Sequence, residues 1–149
     1  MSTRATATTA GLVLYLALVL AFYGLHRLAF GDTGGLYPMW YSIGELLYRA
    51  AKAVVPGLLV GWLCRTRAVG LGSAVGVAGG VIEVLLLGAL TAIPFSRVPV
   101  RMGMALIFTA IASGFTNAVG AAAGSHLRRH AEPSNPLMQP TGRERPAAD

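Results

Sequence analysis

Among the residues of this chain that could carry chemistry, one carboxylate stands apart. Glu83 lies in the middle of Gly70 to Phe95, GLGSAVGVAGGVIEVLLLGALTAIPF, and is the one charged residue of that run. The run exceeds the roughly 20 mostly apolar residues that a bilayer-spanning helix needs. At mid-membrane an ionisable side chain costs roughly 2.5–3.5 kcal/mol on insertion scales for Asp, Lys or Arg, so it calls for a partner or a function. Two readings are open. Either Glu83 is protonated and hydrogen-bonded between helices, where it fixes packing, or it is linked to the movement of a proton or cation.

Depth along the helices suggests its partner. A very short link centred near Arg67 forces the helices on either side to run antiparallel. Each residue rises about 1.5 Å, so positions equally far from the link share a depth. Glu83 lies 16 positions beyond Arg67 and Lys52 lies 15 before it. The same reasoning across the turn near Arg97 and Val98 brings Ser113 level with both. The expectation is a polar layer of Glu83, Lys52 and Ser113 inside a bundle, with Arg49 one turn outward as an alternative partner. Opposite charges placed together offset part of the cost that each bears in hydrocarbon. In the competing arrangement Lys52 extends along its stem to the interface and Glu83 bonds to the fourth helix instead.

Other chemistry finds little support. The sequence holds no P-loop, G-x-G-x-x-G, G-x-S-x-G or H-E-x-x-H pattern. His26, His126 and His130 sit at helix ends or beyond, and none is spaced with Cys, Asp or Glu as metal ligands would be. Ser73 and Ser113 have no base near them in sequence. Cys64, beside Arg65 and Arg67, could be a reactive or lipidated thiol or an inert small residue at a helix end. As the single cysteine it cannot form an internal disulfide. No catalytic residue, metal site or cofactor is expected, and the chain is not read as an enzyme.

The elements that must position these groups follow from composition. The 149 residues are 54% hydrophobic and 12% charged, whereas a soluble domain carries about 25% charged residues. That leaves too little polar surface for a small soluble domain. The net charge of +6 comes from basic residues in ones and twos at the ends of apolar runs, as in membrane-flanking positions. It does not form the patch that nucleic acid would need. The fold class is an all-α integral membrane protein, a four-transmembrane-helix bundle in residues 1–130, with helices near 6–26, 42–64, 70–94 and 101–126. The tail, 131–149, carries Pro133, Pro136, Pro140 and Pro146 and reads as disordered.

The first run, Ala5 to Leu25, reads as a retained helix rather than a signal peptide, because no small-x-small cleavage site closes it. It looks like a plain lipid-facing anchor, with Tyr15 the polar side chain of its leucine- and valine-rich middle. Residues 31–41 read as a loop, with Tyr37, Trp40 and Tyr41 as interfacial aromatics. Ser42-Ile43-Gly44-Glu45 fits a capping box that opens the second helix, and Glu45 and Arg49 are spaced for an i,i+4 pair. That helix has an amphipathic first half and an apolar second half, with a kink expected at Pro56. The alternative is an interfacial helix followed by a short insertion.

Small residues predict close packing. Gly72, Gly76, Gly79 and Gly80 share a helical face with Glu83. On the fourth helix Gly103, Ala110, Ser113, Gly114, Asn117, Ala121 and Gly124 line one face. Gly72, Gly76, Gly80, Gly114 and Asn117 are therefore expected at helix–helix contacts. Four short spans with a membrane glutamate resemble the small multidrug transporters in outline. In that family the essential glutamate belongs to the first helix, which here has none.

Two function classes follow. The first is a non-catalytic packing or assembly protein that acts on a second copy or another membrane protein through its small-residue faces. The second is a small proton- or cation-linked transporter or channel that uses Glu83. A dry Glu83 suits the first and a water-accessible one the second. The expected partners are the lipid bilayer and a homo-oligomeric or membrane-protein neighbour, with no nucleic acid. Arg4, Arg65, Arg67, Arg128 and Arg129 on one side, against Arg27, Arg97 and Arg101 on the other, predict a plasma (inner) membrane protein with both termini cytoplasmic.

Overall fold

Backbone N–H and C=O groups inside a bilayer find no water, so long apolar runs must satisfy them within helices. The computed structural model describes residues 3–30, 39–64, 66–90 and 99–131. They form four helices, α1 (Thr3–Phe30), α2 (Met39–Leu63), α3 (Ala68–Leu90) and α4 (Pro99–Ala131). All four are long and apolar enough to cross a membrane, and the chain is an all-α membrane bundle.

The helices begin earlier than the sequence suggests. Trp40 and Tyr41 belong to α2 rather than to a loop, and Ser42 lies inside the helix, so it does not cap it. The local pattern matched a cap because Glu45 sits three residues on, but Glu45 turns forward to Arg49 instead. The remainder of the expected loop (31–38), the end of the third expected helix (91–94) and the tail beyond Ala131 lie outside the described residues. α2 runs through Pro56 as one continuous helix, the first of the two arrangements considered for this segment.

Both ends of the chain's helical part meet at the α2–α3 link. An Arg4 guanidinium N–H donates to Thr66 Oγ1 at 3.2 Å, and Arg128 donates to the Trp62 carbonyl at 2.8 Å. The link itself is tight. Arg67 takes a left-handed φ of 58°, and its carbonyl accepts the Leu71 N–H at 3.1 Å to start α3. Cys64 is buried here beside Ala7 and Ala68, so its thiol is enclosed by helix ends.

α4 packs extensively along both α3 and α2, while α2 and α3 touch each other less and α1 rests against both of them. Large apolar side chains face outward, and a few polar groups join Val19, Val60 and Val75 inside. Phe108, Phe115, Ile107 and Ile111 face outward, and Glu83, Ser113 and Asn117 are buried. Lipid tails are as apolar as leucine, so close packing of small residues and interhelical hydrogen bonds draw the helices together.

Glycine makes that packing possible at one end of the bundle. A Cβ on Gly57 or Gly61 would collide with the backbone of Asn117 or Ala121, and one on Gly76 with the backbone of Ser113. Gly120 and Gly124 meet the α2 backbone at Val54 and Leu58 in the same way. Gly24, Gly44 and Gly103 are not wedged in this way, and a Cβ there, as at Gly70, would meet nothing within 4 Å. The backbone-to-backbone glycine contacts thus run from the Arg67 end to the middle of the bundle, and beyond them a cleft lies between the helices.

Candidate functional site

The closed half stops at a layer of polar side chains, one from each helix. On α3, Glu83 is 8% exposed. Lys52 of α2 places Nζ 2.5 Å from Glu83 Oε1. Tyr15 of α1, fully buried, donates its hydroxyl to Glu83 Oε2 at 2.7 Å. Ser113 Oγ of α4 lies 3.0 Å from the same hydroxyl. Both carboxylate oxygens are therefore partnered, and the layer runs Lys52–Glu83–Tyr15–Ser113.

The equal-depth construction accounts for much of this. Antiparallel α2 and α3 carry Lys52 and Glu83 to the same height, and α4 carries Ser113 there. Two details were left open by depth alone. Ser113 reaches the carboxylate through Tyr15 and not directly. Arg49 is not a partner of Glu83: its guanidinium takes Glu45 Oε1 at 2.5 Å, and its side chain is 69% exposed. One helical turn separates Lys52 from Arg49, and only Lys52 is deep enough to face the layer.

Tyr15 was the residue least visible in sequence. α1 is not merely an anchor, because this tyrosine links α3 to α4 across the centre of the bundle. The usable signal was a phenol hydroxyl in the middle of an otherwise apolar span, where a polar atom must find a partner. Tyr48 was missed as well. It lies one turn from Lys52 on α2, and its ring stacks on Phe22 of α1 with centroids 3.9 Å apart. Lys52 Nζ lies 5.8 Å from the ring centroid of Tyr15 and 5.8 Å from that of Tyr48. That is within the ~6 Å reach of a cation–π contact, so the ammonium sits among a carboxylate and two aromatic faces.

Below the layer the expected packing residues close the bundle. Gly72, Gly76 and Gly80 face α4 at Asn117, Ser113 and Thr109. Gly114 packs against Val77, while Gly79 turns away to the Tyr15 ring. Asn117, fully buried, does more than pack. Its Oδ1 accepts the Gly57 N–H at 2.9 Å and its Nδ2 donates to the Ser113 carbonyl at 2.9 Å. Pro56 disturbs the helical bonding of α2 around itself, and the adjoining Gly57 N–H is the group that Asn117 takes up.

Above the layer is a cleft of ≈ 610 Å³ between all four helices. Its floor is Lys52, Glu83 and Ser113, and its walls rise through Val19, Phe22 and Tyr48 to Tyr23, His26, Glu45 and Arg49. Glu45 stands two turns above Lys52, about 10 Å outward. A second hollow, on the outer side of α4 among Met104, Ile107, Phe108 and Phe115, is apolar throughout and carries no charged group. His126 and His130 approach each other far from the cleft, with Nε2 atoms 3.1 Å apart. Among the described residues no group of three or more His, Cys, Asp or Glu could hold a metal ion.

Comparison of the chain with protein-family models, with curated proteins and with solved structures finds no match.

Proposed function

We propose that this chain is a small membrane carrier that admits solute from one side to the Lys52–Glu83 pair. The observation that carries the reading is the cleft whose floor is that pair. Glu83 itself is nearly dry, at 8% exposed, but both members of the pair line the cleft, so a solute in the cleft reaches them. Here the polar groups converge at the base of an opening between helices, the usual character of a ligand site. The bundle is closed below the layer and open above it, the form of a carrier with access from one side. The small-residue faces on which an assembly role would rely are closed against each other within the chain.

Transport is linked to the charge state of the pair through Glu83, whose two oxygens bind Lys52 and Tyr15. Both helical ends near Arg4, Arg67 and Arg128 lie on the cytoplasmic side of the plasma membrane, by the excess of basic residues there. The cleft then opens outward. Reporter fusions after His130 that were active only outside the cell would reverse this orientation.

Proteoliposome flux tests the carrier itself. Uptake of at least one solute from a set of small ions, amines and zwitterions by the wild-type chain, abolished in Glu83→Gln at equal incorporation, is the expected result. Equal flux through wild-type and Glu83→Gln vesicles, or none through either, would return the chain to a packing role.

A further inference from the structure

The pair at the floor of the cleft is neutral as a whole, and this constrains what can bind there. A cation that displaced Lys52 from Glu83 would leave the lysine ammonium without its partner. An anion drawn to Lys52 would strand the carboxylate. Breaking a buried pair by removing one partner is strongly unfavourable because the other charge remains uncompensated. A ligand that carries both charges avoids this, since it can enter between the two groups and pair with each.

The site already shows how it holds one half of such a ligand. The Lys52 ammonium lies against Glu83 Oε1 and 5.8 Å from each of the Tyr15 and Tyr48 ring centroids. A carboxylate with two aromatic faces is a recognition surface for an organic ammonium group. Lys52 occupies it as a tethered stand-in on a flexible four-carbon stem. If the stem withdraws into the cleft, the ligand's ammonium takes the vacated position and its anionic end meets the lysine. Thr109 and Ser113, which also line the cleft, supply hydroxyls beside it.

We propose that the cleft binds a small zwitterion, an ammonium group joined by a short linker to a carboxylate or phosphate, inserted between Glu83 and Lys52. The proposal rests on the carrier reading of the same cleft and names its substrate class. A free betaine or amino acid and the headgroup of a choline lipid share this chemistry.

The test uses the full chain in nanodiscs of phosphatidylglycerol, which offer no zwitterionic headgroup. Titration calorimetry compares glycine betaine and β-alanine with their singly charged halves, tetramethylammonium, methylammonium and acetate. Glycerophosphocholine forms the headgroup arm. At least one zwitterion should bind at least tenfold more tightly than either of its halves. Tighter binding of glycerophosphocholine than of betaine supports a lipid headgroup as the source, and the reverse order supports a free solute. In Lys52→Met the preference should move to tetramethylammonium by tenfold or more, and in Glu83→Gln to acetate. Should either single variant fail to fold, the double variant Lys52→Met/Glu83→Gln removes both charges together and should lose zwitterion binding while keeping its helical signal. No binding of any zwitterion, or binding of a cation alone as tight as that of the zwitterion, overturns the proposal. Zwitterion binding without uptake in proteoliposomes retains the site and overturns the carrier. Glu83-dependent uptake without zwitterion preference does the opposite.

Discussion

Removing the Glu83 carboxylate alone and removing it together with the Lys52 ammonium should have different consequences. Glu83→Ala leaves a lysine charge inside the bundle and frees the Tyr15 hydroxyl, so a loss of about 3–5 kcal/mol is expected. The double variant Lys52→Met/Glu83→Gln strands no charge and should stay within about 1 kcal/mol of the wild type, because a buried pair contributes little net stability over neutral groups of similar volume. Unfolding in mixed micelles by denaturing detergent, followed by helical circular dichroism, measures both. Tyr15→Phe keeps the ring against Gly79 and removes the hydroxyl between Glu83 and Ser113. Interhelical hydrogen bonds in membranes average about 0.6 kcal/mol and reach about 1.7, so a loss near 1 kcal/mol is expected in the same assay. A loss above about 3 kcal/mol would mean that the ring packing had changed too.

At the scale of the elements, the glycines should separate into two groups. Gly57, Gly61 and Gly76 meet the backbone of a neighbouring helix, which cannot rotate away. Alanine there forces helices apart, and overpacking of this kind costs about 1–3 kcal/mol. Gly24, Gly44 and Gly103 have open space around them, so alanine should be neutral or slightly stabilising through its helix propensity, by up to about 1 kcal/mol. Equal losses in the two groups would refute the backbone contacts at Gly57, Gly61 and Gly76. Asn117→Leu belongs to this scale as well. It withdraws the acceptor from the Gly57 N–H beside Pro56, and a buried donor without a partner costs about 1–3 kcal/mol.

For the whole molecule, the asymmetry between the two ends predicts where water reaches. With Cys64 replaced by alanine, single cysteines at Leu87, Thr109 and Ala112 face the cleft. A membrane-impermeant thiol reagent should label them from the side opposite the N-terminus. Cysteines at Val60 and Val75, both buried in the closed half, should resist the reagent from either side. Labelling of Val60 and Thr109 at similar rates would show a bundle open throughout, inconsistent with a one-sided cleft.

Helix number and class were legible in the sequence because hydrocarbon leaves the backbone no alternative to helices, and apolar runs of this length therefore become spans. The depth of Lys52, Glu83 and Ser113 followed from the fixed rise per residue on either side of short links. The helix starts were less legible, since Ser42 and Glu45 match a cap locally while the helix gains further bonds by extending back to Met39. Which residues meet at a shared depth was decided by tertiary structure alone. Rise fixes height but says little about rotation or neighbours, so Tyr15, on a helix with no other clue, could not be placed at the carboxylate. The Glu45–Arg49 pair was legible from its i,i+4 spacing, whereas depth alone left Arg49 open as a partner of Glu83. The cleft depends on all four helices at once, since each supplies part of its lining. No single segment carries that information, because it lies in how the helices pack against one another.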